Sequence, residues 1–190
     1  MRLDNPTRTD RRAVLQGAAG LVLAWMTPLT AAAQGAARAR PGPGDWLVRV
    51  GDASATPLTP DDIPVAATPL LAWPLAGGDR VVRSDSRLNR VVLVRLDPEA
   101  LSMRTRTHAA AGVVAYSSIC THSGCDVGSW LPEPQVLYCE CHESMFDPRD
   151  GARVTDGPAP RSLPALPLQL AEGRLVVAAP FTSRVGFEPG

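Results

Sequence analysis

Two short stretches of the chain concentrate the side chains that are best suited to bind a transition metal. The first reads CTHSGC over residues 120–125, and the second, after a gap of thirteen residues, reads CECH over residues 139–142. Together they hold all four cysteines and two of the three histidines of the 190-residue chain. Thiolates and imidazoles bind both zinc and iron–sulfur clusters, so the two stretches indicate a metal centre without choosing the metal.

The number and spacing of the candidate ligands narrow this choice. Six candidates exceed the four ligands of a tetrahedral zinc site, and a Cys-x-His pair is tighter than the usual spacing of structural zinc ligands. A mixed [2Fe–2S] centre instead takes two cysteines on one iron and two histidines on the other. This assignment leaves two cysteines over, and outside the cytoplasm such a pair favours a disulfide.

The two stretches resemble the paired cluster-binding loops of Rieske iron–sulfur proteins. The motifs CTHSGC and CECHESMFD carry the resemblance, and GPAPRSLPALPL (157–168) is similar to the proline loop that closes over the cluster in that family. The subtype resembled occurs in quinol–cytochrome c oxidoreductases and in the small subunit of arsenite oxidase. The resemblance implies an antiparallel all-β fold, a Rieske-type β-sandwich over residues 46–190 with a small cluster-binding subdomain at one end, formed by loops 118–128 and 138–150.

The resemblance also implies a cofactor and a role for each residue of the motifs. The cofactor is a [2Fe–2S] cluster, in which Cys120 and Cys139 would bind the inner iron and His122 and His142 the outer iron. Cys125 and Cys141 would form the disulfide that joins the loops. The residues around the cluster would be Ser144, Phe146, Gly157 and Pro158. Ser144 would donate its hydroxyl to a cluster sulfur, with a turn-capping serine as the alternative.

Three departures from the family pattern bear on the reduction potential. Phe146 stands where many family members have a tyrosine hydroxyl, so one hydrogen bond to the cluster is missing. Glu140 replaces the usual proline and Glu143 the usual glycine, and carboxylates disfavour added negative charge. We therefore expect an intermediate potential within the range of about −150 to +300 mV for Rieske centres. The two acids either form an acidic rim for a basic partner or are ordinary solvated surface residues.

Composition and hydrophobic patterning agree with an all-β domain. Nineteen basic residues, all arginine, balance nineteen acidic ones, so nothing argues for a nucleic-acid partner. Short β-branched runs predict strands over 46–50, 91–96, 112–119, 135–139, 166–170 and 174–179, with AEGRL as a hairpin turn between the last two. Residues 98–110 predict one short helix that ends near His108, which we interpret as a loop or solvent-exposed histidine.

The N-terminal region has the pattern of an export signal. Arg11 and Arg12 precede an uncharged run over residues 13–37, and the small residues Ala31 to Ala33 offer a cleavage site. The arginine pair resembles a twin-arginine signal, with an ordinary export signal as the alternative. At about 1.5 Å per residue, an uncleaved helical run of this length would also span a bilayer as an anchor. We thus predict a signal or anchor over 1–33, a flexible linker over 34–45, and a periplasmic protein that is soluble or attached to the outer face of the cytoplasmic membrane.

The functional hypothesis is an electron-transfer subunit. It would relay single electrons between a quinol or partner oxidoreductase and a cytochrome, as part of a complex and not as a complete enzyme. The alternative is a structural zinc module that docks to a partner. A Rieske oxygenase is disfavoured, because its loops lack the extra cysteine pair and its mononuclear iron needs further histidines, of which only His108 remains.

Overall fold

The structure is a computed structural model of the chain and describes residues 27–187. It divides into a compact unit that begins at residue 36 and an N-terminal unit over residues 1–35. The described part of the N-terminal unit belongs to helix α1 (Thr27–Arg38). Within residues 27–187, no helix combines the length and apolarity needed to cross a membrane. Most of the predicted signal or anchor, residues 1–26, lies outside the described residues.

The segment predicted as a linker, 34–45, differs from that expectation. Its first residues form the last turns of α1, because its alanine-rich sequence has a high helix propensity. Its remainder is bonded to the β domain. The carbonyl oxygen of Ala39 accepts a hydrogen bond from Asn89 Nδ2 at 2.9 Å, and the buried carboxylate of Asp45 pairs with Arg83 at 2.7 Å.

Ten strands in the described region form two antiparallel sheets, which confirms the all-β prediction. The first sheet has six strands in the order β4-β3-β2-β1-β10-β9, and the second has four in the order β5-β6-β7-β8. The strands are β1 (Trp46–Arg49), β2 (Leu70–Leu75), β3 (Val91–Arg95), β4 (Val113–Ser117), β5 (Ser129–Leu131), β6 (Val136–Cys139), β7 (Ser144–Asp147), β8 (Arg153–Asp156), β9 (Leu168–Ala171) and β10 (Arg174–Val177).

Strands β3 and β4 separate two hydrophobic cores. Alternate side chains of a strand point to opposite faces, so both faces of a strand with a continuous apolar run can be buried. Val92, Val94 and Tyr116 pack with Leu137 and Phe146 of the second sheet. The intervening side chains of β3 and β4 pack instead with residues of β1, β9 and β10 inside the six-stranded sheet. These two strands, which lie between the cores, therefore give the second sheet a rigid support. The second sheet carries the ligand stretch at residues 139–142.

One connection agrees with the predicted turn, and a second, which was not predicted, covers a sheet edge. Residues Glu172 and Gly173 form a two-residue turn between β9 and β10, both with positive φ, as the AEGRL motif predicts. The segment before β9 hydrogen-bonds to β4, for example through Leu166 N to Ala115 O at 2.9 Å. The open edge of the six-stranded sheet is therefore partly covered.

Other elements differ from the sequence prediction in detail. Residues 98–110 contain a 3₁₀ turn (Pro98–Ala100) and one turn of α-helix, α2 (Met103–Arg106), rather than a single helix. Strands β2, β5, β7 and β8 were not predicted. Pro74 argues against a strand at β2, because proline has no N–H to donate within a sheet. In the structure Pro74 lies beyond the part of β2 that pairs with β3. The other three strands have only three or four residues each.

Candidate metal centre

The first stretch of ligands lies on a tight loop after β4. Ile119 and Asp126 form a bridge across its base, and Cys120 N donates to Cys125 O at 2.7 Å. Gly124 adopts a φ of +78°, which lets its N–H donate to Cys120 O at 3.1 Å. The loop is thus closed by its own backbone, with residues 120–125 at its tip.

The second stretch lies on the turn between β6 and β7. Cys139 ends β6 and pairs with Ser144, the first residue of β7, so the turn comprises only residues 140–143. The predicted loop 138–150 therefore consists largely of regular structure, because β7 and a 3₁₀ helix (Pro148–Asp150) fill its second half. Glu143 has a φ of +60°. It occupies a left-handed position that favours glycine, the residue which the family pattern places there.

The structure brings the four cysteine sulfurs together in two chemical states. Cys125 and Cys141 form a disulfide with a Cα–Cα distance of 6.4 Å, which is the pairing implied by the resemblance. Cys120 and Cys139 are free thiols and each is only 1% exposed. The sulfur of Cys139 lies within 4.8 Å of both disulfide sulfurs. The disulfide therefore joins the two loops directly beside the free thiols.

The rings of the two predicted histidine ligands, one on each loop, pack edge to face. Their ring centroids are 4.6 Å apart with nearly perpendicular ring planes. His122 is half-buried, whereas His142 is exposed. The Nδ1 atom of His122 is buried and has no hydrogen-bond partner among residues 27–187. A buried polar atom without a partner is costly, and a metal bond to its lone pair would remove that cost.

The surroundings of Cys139 combine burial with directed N–H groups. Burial raises the pKa of the Cys139 thiol, and the adjacent thiol of Cys120 raises it further. Backbone N–H groups of Cys141 and His142 act in the opposite direction by donating hydrogen bonds to the sulfur. Such donors stabilise a thiolate, which is the form that binds a metal.

The proline-rich segment after β8 covers both loops. A Cβ built on Gly157, whose φ is +83°, would lie 2.5 Å from Ser144 Cα and 2.8 Å from Glu143 O, so only glycine fits this crossing. Two residues later, Ala159 N donates to the fully buried Ser144 Oγ at 3.2 Å. Pro158 between them is exposed. Ser144 is therefore bonded to the covering segment rather than capping a helix or turn.

Further contacts fix the first loop from the outside. Thr121 donates its hydroxyl to Arg161 O at 2.6 Å, which ties the loop to the covering segment. On the opposite side, Arg87 donates to Gly124 O at 2.7 Å and to Asp126 at 2.8 Å, and Arg90 pairs with Asp126 at 2.6 Å. Partial burial alone would raise the pKa of Asp126, but the two arginines outweigh it and lower that pKa.

The residues that anchor the first loop, Arg87, Arg90 and Thr121, were not predicted from the sequence. Arg87 and Arg90 precede Cys120 by thirty or more positions and lie in no motif, so only the pairing of β3 with β4 brings them to the first loop. Thr121 lies inside the first motif, but nothing local indicates its partner. No signal in a single sequence would have found this network.

The remaining predicted residues have clear positions. Phe146 is fully buried in the core beneath the second loop. Glu140 and Glu143 are both exposed, and Glu140 accepts a hydrogen bond from Ser129 Oγ at 2.6 Å. His108 lies in the turn after α2, as expected of a loop residue, but it is half-buried and lines a separate cavity with Tyr116.

The donor set fits a mixed-ligand [2Fe–2S] cluster. Two buried thiols lie on the inner side and two imidazoles on the more exposed side, as such a cluster requires. With the disulfide formed, however, four donors remain free, and two Cys with two His also suit a tetrahedral zinc ion. The number of candidate ligands therefore no longer argues against zinc. Similarity to known proteins is needed to choose between zinc and an iron–sulfur cluster.

The family model and the relatives that match this sequence all belong to the Rieske family. Residues 81–167 match the family model of the Rieske [2Fe-2S] domain. Over 134 residues, 68% of the chain, the sequence is 35% identical to the cytochrome bc1 complex Rieske iron-sulfur subunit of Streptomyces lividans and covers 78% of that protein. Over 97 residues, 50% of the chain, it is 43% identical to a protein of Haloferax mediterranei named "Putative respiratory nitrate reductase subunit Rieske".

The extent of these matches differs between relatives. The chain spans 43% of the Haloferax protein, against 78% of the Streptomyces lividans subunit. Among solved structures, the soluble domain of the Rieske protein II (soxF) from Sulfolobus acidocaldarius aligns with 50% of this chain and 65% of its own. That alignment has a TM-score of 0.38 and 22% identity.

Proposed function

Because the chain belongs to the Rieske [2Fe-2S] family, we propose that it is the electron-transfer subunit of a larger redox complex. The single observation that carries this proposal is the arrangement of four donors: two buried free thiols beside two facing imidazoles, one with an unpartnered Nδ1. Cys120 and Cys139 would bind the inner iron, and His122 and His142 the outer one. When bound, the cluster supplies a one-electron redox centre.

The residues of the chain perform the rest of the task. The disulfide and the covering segment keep the two loops at a fixed separation, so little reorganisation accompanies electron transfer. Burial of Cys120 and Cys139 keeps water from the inner side. Exposed His142 places one ligand at the surface, which is where a partner would exchange electrons.

We infer the class of redox partner from the chemistry of the site and from the names of the matched relatives. Matched relatives are named as subunits of a cytochrome bc1 complex and of a respiratory nitrate reductase. A cytochrome or a larger redox subunit is therefore the partner we propose, with a quinol as an electron donor. We also propose that the chain is exported and works in the periplasm, soluble or attached to the membrane through residues 13–37. N-terminal sequencing of the exported protein tests this, since a start near residue 34 supports a cleaved signal and excludes an anchor.

The cluster assignment has a direct test in the full chain. Two irons and two acid-labile sulfides per chain, a visible absorption that bleaches on reduction and a rhombic electron-spin resonance signal are expected. His122→Ala and His142→Ala should each lose this signal, whereas His108→Ala, the matched control, should keep it. A colourless protein with one zinc ion per chain would instead support the structural zinc module.

The relay itself is tested by kinetics. The reduced chain, mixed with a soluble c-type cytochrome in a stopped-flow instrument, should transfer one electron per cluster. A hydroquinone should in turn reduce the oxidised chain. If neither reaction occurs with a loaded cluster, the role as a relay is wrong even though the cluster is present.

A further inference from the structure

We propose that, in the cluster-free chain, reduction of the Cys125–Cys141 disulfide creates a four-thiolate site for a soft divalent cation such as Zn²⁺. Its ligands would be Cys120, Cys125, Cys139 and Cys141. The site differs from the cluster site in two of its four ligands and in the redox state that it needs. The proposal goes beyond electron transfer and does not depend on it.

Three of the four sulfurs already lie close enough together for a tetrahedral thiolate site, and the fourth adjoins one of them. A Zn–S bond of about 2.3 Å places two sulfurs of a tetrahedron about 3.8 Å apart. The sulfurs of Cys125, Cys139 and Cys141 lie within 4.8 Å of one another, and the thiol of Cys120 adjoins that of Cys139. Reduction lets the bonded pair separate, and the sulfur of Cys120, which lies outside this group of three, then has to approach the released sulfurs.

Both loops keep their shape without the disulfide, because other bonds hold them. The first loop is closed by the hydrogen bond from Cys120 N to Cys125 O and by the contact of Arg87 with Gly124 O. The second is a tight turn fixed by the pairing of β6 with β7 and by the bond from Ser129 to Glu140. The four thiols therefore stay within reach of one ion after reduction.

Spacing and charge also suit the site. Cys120-x₄-Cys125 lies within the usual separation of paired zinc ligands, although Cys139-x-Cys141 is tighter. Four thiolates around Zn²⁺ leave a net negative charge. The network of Arg87, Arg90 and Asp126 beside the first loop carries a net positive charge and would offset part of it.

The reducing step balances with an ordinary thiol or phosphine. A dithiol transfers two electrons and two protons to the disulfide, which yields two thiols and an oxidised dithiol. Zn²⁺ then displaces four protons from the four thiols. An open groove lined by Cys125, Cys141, Asp126 and Glu140 gives the reductant access to the bond.

It follows that zinc and the cluster would compete for the same two cysteines, and that the redox state of the disulfide would determine which of them binds. In a reducing compartment, zinc and the cluster would compete for Cys120 and Cys139. Once the disulfide has formed, the zinc site loses two of its four ligands, and the donor set that fits the cluster remains.

The test uses the full-length, cluster-free His122→Ala/His142→Ala double variant with Co²⁺ as a spectroscopic probe for Zn²⁺. In the disulfide form this variant retains only two thiols and should show no thiolate-to-cobalt charge transfer. Treatment with a non-chelating phosphine, which with one water converts the disulfide to two thiols and becomes a phosphine oxide, should produce that band and the intense visible absorption of tetrahedral Co²⁺. The band should saturate at one ion per chain and vanish when Zn²⁺ is added.

One further variant and one further measurement serve as controls. Cys125→Ser/Cys141→Ser on the same background should lose the band under reduction. Circular dichroism should show that the reduced chain keeps its β structure. Unfolding on reduction, cobalt binding that is equal with and without the disulfide, or an unchanged band in the cysteine variant would each overturn the proposal. None of these outcomes bears on whether the wild-type chain carries a cluster.

Discussion

At the scale of single residues, we expect the hydroxyl of Ser144 to influence the reduction potential of the cluster. The oxygen is fully buried and accepts a hydrogen bond from Ala159 N at 3.2 Å, which leaves its own hydrogen without an acceptor in the described part of the chain. That hydrogen is available to a cluster sulfur, where a donor favours the reduced state.

Ser144→Ala should therefore lower the midpoint potential. A lost hydrogen bond of about 1–1.5 kcal/mol corresponds to roughly 40–65 mV for a one-electron couple. Redox titration followed by electron-spin resonance measures the change, with Ser183→Ala on the exposed C-terminal segment as the control. An unchanged potential in a fully loaded Ser144→Ala protein would mean that the hydroxyl serves only to hold Ala159.

Glu143 combines a charge effect with a backbone effect, and two variants separate them. Glu143→Gln removes the exposed carboxylate and should raise the potential by roughly 10–30 mV for a water-screened charge. Glu143→Gly should raise the potential similarly and also relieve the left-handed φ of +60°. It should add about 0.5–1 kcal/mol to the free energy of unfolding, which denaturant titration measures. Equal stability of the two variants would show that the turn is not strained.

At the scale of elements, the covering segment depends on its crossing at Gly157. Gly157→Ala should reduce the free energy of unfolding by about 2–5 kcal/mol, because a Cβ would meet the backbone of Ser144 and the φ is left-handed. Cluster loss should accelerate as well. Gly173→Ala is the matched control, since its φ of +73° is similar but nothing lies within 4 Å of the added atom. It should cost only about 1 kcal/mol, and equal losses in both variants would contradict the steric argument.

The anchoring of the first loop by Arg87 is the second element-scale prediction. Arg87 and Arg95 each bond one carbonyl oxygen and one carboxylate, but only Arg87 does so on a ligand loop. Either alanine variant should lower the free energy of unfolding by about 1 kcal/mol. Only Arg87→Ala should shorten the half-life of the visible absorption during incubation with a chelator. Similar half-lives would mean that the loop needs no support from Arg87.

At the scale of the whole molecule, burial of Tyr116 in the core shared by the two sheets predicts alkaline sensitivity. Burial raises the pKa of Tyr116 above its usual value of about 10. Its hydroxyl donates to Pro148 O at 2.8 Å. Because the folded pKa is the higher one, the stabilising contribution is complete below about pH 10. It is lost above that pH, where the unfolded chain releases a proton that the folded chain keeps.

Tyr116→Phe should flatten this alkaline loss. The difference in slope should approach about 1.4 kcal/mol per pH unit above pH 10, measured by urea titration at several pH values. At neutral pH the variant should be about 1–2 kcal/mol less stable, because Pro148 O loses its donor. Tyr138→Phe, at the half-buried position in β6, is the comparison, and an equal flattening there would argue against the role of burial at Tyr116.

The motif residues of the site were predictable because their chemistry is local. Spacing of cysteines and histidines, and the family pattern they match, named the disulfide pair and the two histidines that the structure brings into contact. The cluster-ligand roles of Cys120, His122, Cys139 and His142 stay predictions. Short runs of β-branched residues likewise predicted six strands, and the AEGRL motif predicted the turn before β10. Such signals need only neighbouring residues, so a single sequence contains them.

Tertiary structure alone decided what holds and surrounds those residues. The clamp of Arg87 on Gly124, the bond from Thr121 to Arg161 and the crossing at Gly157 each join residues that strand pairing brings together over long separations. The short strands β5, β7 and β8 gain their stability from the shared core rather than from their own composition. A sequence thus determines which atoms can bind a metal. Packing determines how rigidly those atoms are held, how far water is excluded from them and which charges lie nearby.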